Sequence, residues 1–226
     1  MLDRPSPNHG PRRDGARPRL IVLHYTAMAS AEAALDRLCD PVAQVSAHWL
    51  IAEDGRLFRL VPEDRRAWHA GAGAWGAVTD VNSHSLGVEL ANDGAAPFPA
   101  PQMAALESLL RGTMARWRIP PAGIIGHSDC APCRKADPGP RFDWARLARN
   151  GLALPTPQGC ADGDDAAFVA AMRRAGYTAT GDLPHLLAAL RLRHRPWAKG
   201  PRDARDTGIA LGLAARLPVD PARSPA

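Results

Sequence analysis

Lysine is scarce in this chain. Of the 28 basic side chains in 226 residues, only Lys135 and Lys199 are lysines. The net charge is only +5, and no segment concentrates basic residues into a dense patch. Proteins that bind nucleic acid by its phosphates usually carry such a patch. The composition therefore predicts no nucleic-acid partner.

Long apolar runs are also missing. No stretch approaches the roughly 20 apolar residues that a membrane-spanning helix needs. The first 18 residues are rich in proline, glycine and arginine and lack the apolar segment of a secretory signal. We therefore expect no membrane span and a cytoplasmic location. A periplasmic or envelope location is the alternative, if the true start of translation lies upstream.

The chain also contains few cysteines. Cys39, Cys130, Cys133 and Cys160 are the four cysteines, and without an export signal they predict reduced thiols rather than disulfides. Cys130 and Cys133 form a C-x-x-C pair, but a four-cysteine zinc site needs a second pair, which is absent. The His-x-Glu motif of zinc deaminases is absent too. The pair therefore predicts neither a metal site nor a redox site.

The length allows one sizeable core and a small second unit. Composition divides the chain into a flexible N-terminal arm at 1–18, a main domain at 19–150, a linker at 151–163 and a helical unit at 164–220. Three amphipathic patches in the last part are each too short to be stable alone. We expect them to pack as a small three-helix bundle.

The main domain has an ordered series of strand and helix signals. The segments are a buried strand at 19–25, a helix at 30–39 capped by Ser30, a hairpin at 46–62 turning at Glu53-Asp54-Gly55, a strand at 85–90, a helix at 101–117, an apolar run before His127, and a short helix at 142–149. This order predicts an α/β fold with a mixed central β-sheet covered by helices.

Two of these apolar runs end in histidine. His24 closes RLIVLH and His127 follows IIG, while Asp137 lies ten residues further on. If both runs are strands of one sheet, the two imidazoles meet at its edge and the carboxylate completes a three-ligand set. Two histidines and one aspartate with an open position are typical of catalytic zinc sites. A single histidine at the end of a strand is more often structural than a ligand. The prediction of a metal site therefore depends on the combination of His24, His127 and Asp137.

Glu89 and Lys135 complete the candidate chemistry. Glu89 ends the alternating strand SLGVEL, where it could take a proton from water and pass it to a leaving nitrogen. The alternative is a solvated carboxylate on an edge strand. Lys135 could stabilise a developing oxyanion, or it could be an ordinary surface lysine. His48 and His69 either line a cleft or are buried and hydrogen-bonded.

The motifs also resemble a known family. They are IVLHYTA, VSAHWLI, the EDG hairpin, AWHAG, NSHSLGVEL and GHSDCAPCRKADPGPRFDW, and they run from about Leu20 to Leu147. In this order they resemble zinc-dependent N-acetylmuramoyl-L-alanine amidases of the amidase-2 class, relatives of peptidoglycan recognition proteins. The resemblance implies zinc held by His24, His127 and Asp137, with Glu89 as the base and Lys135 as the oxyanion stabiliser.

The same resemblance implies a substrate. The family cleaves the amide bond between the lactyl group of N-acetylmuramic acid, or of its 1,6-anhydro form, and L-alanine of the stem peptide. Arg134 is then expected to contact a stem-peptide carboxylate, and Tyr25 and Trp75 are expected to contact sugar or peptide. The helical unit is similar to three-helix peptidoglycan-binding modules, but His194 and Arg195 stand where an aromatic-Gln pair is expected.

Two alternatives to this enzyme remain open. One is a non-catalytic peptidoglycan-binding module on the same fold, which the complete set of candidate residues disfavours. The other is an unrelated metallohydrolase that uses the same ligands. We expect the chain to be a monomer whose partner is peptidoglycan or a muropeptide fragment.

Overall fold

A six-stranded mixed β-sheet forms the centre of the molecule. The computed structural model describes residues 1–216, so residues 217–220 of the expected helical unit lie outside the described part. The strands are β1 (Leu2–Asp3), β2 (His9–Pro11), β3 (Leu20–Tyr25), β4 (Trp49–Ile51), β5 (Leu57–Arg59), β6 (Arg65–Ala67), β7 (Ser85–Leu90) and β8 (Ile124–Gly126). The central sheet has the order β1-β5-β4-β7-β3-β8, and β2 pairs separately with β6.

Eight α-helices accompany the strands within residues 1–216. They are α1 (Ala31–Cys39), α2 (Val81–His84), α3 (Ala100–Trp117), α4 (His127–Cys130), α5 (Trp144–Arg149), α6 (Asp165–Arg174), α7 (Leu183–His194) and α8 (Ala204–Arg216). The helix caps agree with the sequence, because the side chains of Ser30 and Asp143 accept hydrogen bonds from backbone amides of α1 and α5. The predicted α/β class, with a mixed sheet covered by helices and a C-terminal helical unit, is confirmed.

The two faces of β3 enter different parts of the core. Ile21 and Leu23 pack with β7 and α3, whereas Leu20 and Val22 pack with apolar side chains of the C-terminal helices. This division follows from the alternation of side chains along a strand. The C-terminal helices therefore share one apolar cluster with the sheet instead of forming a separate body.

The N-terminal segment is ordered, and the prediction of a flexible arm is wrong. Leu2 and Asp3 pair in parallel with β5, and His9 to Pro11 pair antiparallel with β6. The segment is held by hydrogen bonds from its polar side chains, and the low apolar content of its sequence gives no sign of them. The buried Ser6 hydroxyl donates to the Leu38 carbonyl, and Arg12 donates to backbone carbonyls of the segment before β7.

The segment between the main domain and the C-terminal helices lacks regular secondary structure. Residues 151–163 contain no helix or strand. They are nevertheless fastened to α8, since the amide of Ala161 donates to the carbonyl of Ala204 and the Arg205 guanidinium donates to the carbonyl of Gly159. Among residues 1–216, no helix combines the length and apolar composition that crossing a bilayer requires.

Candidate metal centre

Strand register brings the predicted site residues together. β3 and β7 are parallel, and His24 lies directly opposite Glu89. β8 flanks β3 on the other side with Leu23 opposite Gly126, so His127 follows one residue beyond the pairing. All three side chains therefore lie at the carboxyl edge of the sheet, where sites of open α/β sheets usually form.

His24, His127 and Asp137 converge on one point. His24 Nδ1 lies 3.0 Å from His127 Nδ1 and 2.8 Å from Asp137 Oδ2, and His127 Nδ1 lies 3.0 Å from the same carboxylate oxygen. The three residues are only 2%, 3% and 8% exposed, respectively. Their donor atoms form a group that could hold a metal ion.

Hydrogen bonds behind His24 fix which of its nitrogens faces this point. The Ser85 hydroxyl donates to the carbonyl of Val81, so its oxygen accepts from His69 Nε2 at 3.1 Å. His69 Nδ1 must then accept, and it lies 3.1 Å from His24 Nε2. His24 therefore carries its proton on Nε2 and directs the lone pair of Nδ1 into the site.

His127 has the same orientation for a similar reason. Its Nε2 lies 3.0 Å from the carbonyl oxygen of Ala70, which can only accept a hydrogen bond. The neutral imidazole thus donates from Nε2 and leaves a lone pair on Nδ1. Arg134 supports this carbonyl, since its guanidinium donates to Ala70 O at 2.6 Å and to Ala72 O.

Three electron-rich atoms facing one another at this distance form a group that could hold a cation. Burial and the neighbouring His127 lower the pKa of His24 to about 4, so His24 itself carries no positive charge at neutral pH. Nitrogen and carboxylate donors suit zinc. Zinc bonds of about 2.0–2.1 Å at tetrahedral angles separate ligand atoms by roughly 3.3 Å, close to the distances found here. The residues present therefore fit the metal that the resemblance implies.

Glu89 is the free carboxylate beside this cluster. Its Oε2 is shielded from solvent and has no hydrogen-bond partner among residues 1–216. Burial, helped by the nearby Asp137 carboxylate, raises the pKa of Glu89 to about 8, although Lys135 acts in the opposite direction. A carboxyl group with a pKa near neutrality and an unused oxygen is suited to proton transfer.

A cavity of about 480 Å³ opens over the cluster. Among the residues that line it are His24, Tyr25, Trp68, His69, Glu89, His127, Arg134, Lys135 and Asp137. Seven of the eight predicted site residues therefore share one cavity. Lys135 is exposed at its wall, where its ammonium group remains available to a bound molecule.

Trp75 is the eighth predicted residue, and it lies elsewhere. Its indole is 5% exposed and packs edge-on against Tyr177, with ring centroids 4.9 Å apart. It also contacts Gly176, whose added Cβ would lie 3.0 Å from the indole. Trp75 thus joins the main domain to the C-terminal helices. Its side chain is enclosed in that core and is not among the residues that line the cavity, which argues against the expected contact with substrate.

His69 has a larger role than the sequence indicated. It is half-buried, hydrogen-bonded and part of the cavity wall, so it combines features of both alternatives. Gly87 makes room for it, since a Cβ there would overlap the imidazole. In the sequence, the glycine between Leu86 and Val88 indicates that another group packs closely against this strand. It does not identify that group as the ring of His69.

The C-x-x-C pair is not part of the site. Cys130 is buried and its thiol approaches the carbonyl of His127, while Cys133 is exposed. Burial raises the pKa of the Cys130 thiol, which keeps it protonated. All four cysteines are free, in agreement with the expectation of reduced thiols.

Comparison with known proteins agrees with this geometry. Residues 14–140 match the model of the Amidase_2 family, described as N-acetylmuramoyl-L-alanine amidase. The N-acetylmuramoyl-L-alanine amidase AmiD of Escherichia coli is 34% identical over 89% of this chain and 84% of its own length. The 1,6-anhydro-N-acetylmuramyl-L-alanine amidase AmpD of Enterobacter cloacae is 35% identical, but over 63% of this chain and 86% of its own length.

Solved structures show the same fold. E. coli AmiD in complex with its substrate anhydro-N-acetylmuramic acid-L-Ala-D-gamma-Glu-L-Lys superposes with a TM-score of 0.81, at 32% identity over 90% of this chain and 91% of that one. AMPDH3 from Pseudomonas aeruginosa in complex with anhydromuramic pentapeptide gives 0.78, at 29% identity over 90% and 94%. By sequence and by fold, then, the chain belongs to the Amidase_2 family of N-acetylmuramoyl-L-alanine amidases.

Proposed function

We propose that the protein is a zinc hydrolase that cleaves the amide bond between N-acetylmuramic acid, or its 1,6-anhydro form, and L-alanine of the peptidoglycan stem peptide. Family membership supports the reaction, and the relatives whose structures contain anhydromuramic peptides support the substrate class. The observation that carries the proposal is the meeting of three metal-type donors with the free carboxylate of Glu89 in one cavity.

His24, His127 and Asp137 are the residues that would hold the metal. When bound, zinc supplies Lewis-acid polarisation of a carbonyl and lowers the pKa of water to roughly 7. The protein contributes the orientation, because the hydrogen bonds to His69 and to the Ala70 carbonyl fix both imidazoles before any metal arrives.

Glu89 is placed to move the proton. Attack of water on the lactyl carbonyl requires a group that removes a proton from the water. Expulsion of the peptide requires that a proton be delivered to the nitrogen of L-alanine. Glu89 can do both in turn, since it is the cavity carboxylate that is not a candidate ligand and its Oε2 is unpaired among residues 1–216. Its raised pKa suits a group that must hold the proton between the two steps.

Lys135 is placed to stabilise negative charge. It lines the cavity next to the candidate ligand Asp137, and no hydrogen bond from its ammonium group is found within residues 1–216. Attack on the carbonyl places negative charge on the lactyl oxygen, which a nearby ammonium group stabilises more in the transition state than in the ground state.

We expect Lys135→Met to lower kcat by roughly 10² fold, the lower end of the effect of removing one oxyanion donor. The change keeps the length of the side chain and removes its charge. Steady-state kinetics on an anhydromuropeptide measures it. Lys199→Met is the matched control, because Lys199 is exposed and is not among the residues lining the cavity. Equal kinetics of the two variants would remove Lys135 from the mechanism.

Product analysis tests the reaction itself. Purified protein with zinc is expected to convert a 1,6-anhydromuropeptide into free anhydro-sugar and a peptide with an L-alanine amine, which mass spectrometry identifies. Intact sacculi tested in parallel show which substrate is preferred. Binding without cleavage would indicate the non-catalytic module, and cleavage of other amides alone would indicate an unrelated metallohydrolase.

Location, oligomeric state and domain limits remain predictions of the sequence. Fractionation of the native protein, together with determination of its N-terminus, tests the expected cytoplasmic location. Sedimentation of the purified chain tests the expected monomer. Limited proteolysis tests the division at 151–163, where the structure has neither helix nor strand.

A further inference from the structure

A buried carboxylate links the metal-site loop to the C-terminal helices. Asp129 lies in α4, two residues after His127, and is fully buried. Its Oδ1 accepts a hydrogen bond from the Tyr177 hydroxyl at 2.8 Å, and its Oδ2 accepts one from Arg193 Nη1 at 2.6 Å. Tyr177 lies between α6 and α7, and Arg193 lies in α7. Both partners thus come from the C-terminal part of the chain.

Asp129 is in turn connected to two candidate ligands through the backbone. Its Oδ2 also accepts from the amide of Gly126 at 2.8 Å, which fixes the turn that leads into His127. The amide of Ser128 donates to the carbonyl oxygen of Asp137 at 3.0 Å. A shift of α4 therefore moves His127 and the backbone of Asp137 together.

Arg193 holds the same segment from a second direction. Its Nη2 donates to the carbonyl of Ile124 in β8 at 3.0 Å. Its guanidinium also lies 4.1 Å from the centre of the Trp144 ring. Each of these contacts is made with the main domain, although Arg193 belongs to α7. Because the ion pair to Asp129 is buried, removal of the arginine leaves a charged carboxylate without its cation.

We infer that Arg193 and Tyr177 are positioning residues that set the geometry of the metal centre from the C-terminal helices. The inference rests on the proposed metal site. His24 belongs to β3 and is held separately by His69, so movement of α4 changes the distances between ligands instead of carrying all three along. The C-terminal helices thereby support metal affinity, a role independent of any binding of glycan.

Zinc affinity of the full-length chain tests the inference. We expect Arg193→Met to weaken zinc binding by about tenfold or more, in the range found for partners behind metal ligands. Tyr177→Phe removes one hydrogen bond and keeps the ring against Trp75, so a smaller loss of roughly threefold is expected. Arg193→Lys keeps a cation near Asp129 and should recover part of the affinity. Competition with a chromogenic chelator gives each dissociation constant.

Arg191→Met is the matched control. Arg191 also lies in α7 and also pairs with a fully buried carboxylate, that of Asp206 at 2.6 Å, but its partners all belong to the C-terminal helices and their loop. The Arg191→Met substitution should lower the melting temperature of the protein and leave its zinc affinity unchanged.

The possible outcomes separate the inference from the proposed function. Zinc affinity unchanged in Arg193→Met, or weakened equally in Arg191→Met, would overturn the positioning role. If Arg193→Met does not fold, Tyr177→Phe decides, and unchanged affinity in that variant counts against the role. Failure of the unmodified chain to bind zinc would instead overturn the proposed metal site.

Discussion

Glu89→Gln is expected to lower kcat by about 10² to 10⁴ fold, the usual contribution of a general acid-base group. Glutamine keeps the size of the side chain and its position opposite His24 but cannot take a proton. The substitution breaks no hydrogen bond of Oε2, since none is present among residues 1–216. Steady-state kinetics of zinc-loaded protein on an anhydromuropeptide gives kcat and KM separately, and KM should change little.

Two further measurements make this result specific to proton transfer. Glu53→Gln, in the exposed hairpin turn, is the matched control and should retain full activity. The melting temperature of Glu89→Gln should not fall, because burial disfavours the ionised carboxylate that the variant removes. Undiminished turnover in Glu89→Gln would make Glu89 dispensable and would reopen the alternative of a binding module.

Loss of the metal is expected to have the largest effect. Asp137→Ala removes the carboxylate that both imidazoles face, and kcat/KM should drop by at least about 10³ fold, since a catalytic metal contributes several kcal/mol to transition-state stabilisation. Zinc content measured by mass spectrometry should fall in parallel. Chelation of the unmodified protein should abolish activity, and added zinc should restore it.

Asp143→Ala is the control for this second substitution. Asp143 follows in the same loop and caps α5 through the Arg146 amide at 2.8 Å, so its removal should cost roughly 1 kcal/mol of stability and leave zinc bound. Full activity of the chain after metal removal would contradict the assignment of His24, His127 and Asp137 as ligands.

Most of the main domain could be predicted from local patterns. The alternation in SLGVEL, the capping serine before α1 and the Glu-Asp-Gly turn each act within a few residues, and the strand, helix and hairpin lie where they were expected. The convergence of His24 and His127 was also predictable, because His24 lies near the end of one apolar strand, His127 directly follows another, and the carboxyl ends of parallel strands meet at one edge.

The features that escaped prediction depend on contacts between distant residues. The N-terminal segment looked mobile because its apolar content is low, yet its polar side chains find buried carbonyl partners. Trp75 was expected to contact sugar or peptide, yet it packs edge-on against Tyr177, about a hundred positions further along, in the core. The bond between Asp129 and Arg193 likewise has no local signature.

The apolar cluster that the sheet shares with the C-terminal helices limits where the polypeptide chain can be truncated. Phe168 and Ile209 of the C-terminal helices belong to the same apolar cluster as Leu20 and Val22 of β3. A shortened protein that ends near residue 150 would expose these strand residues to water and would favour aggregation. The C-terminal helices therefore cannot be exchanged as an independent module, and any chimaera has to include the sheet surface on which they rest.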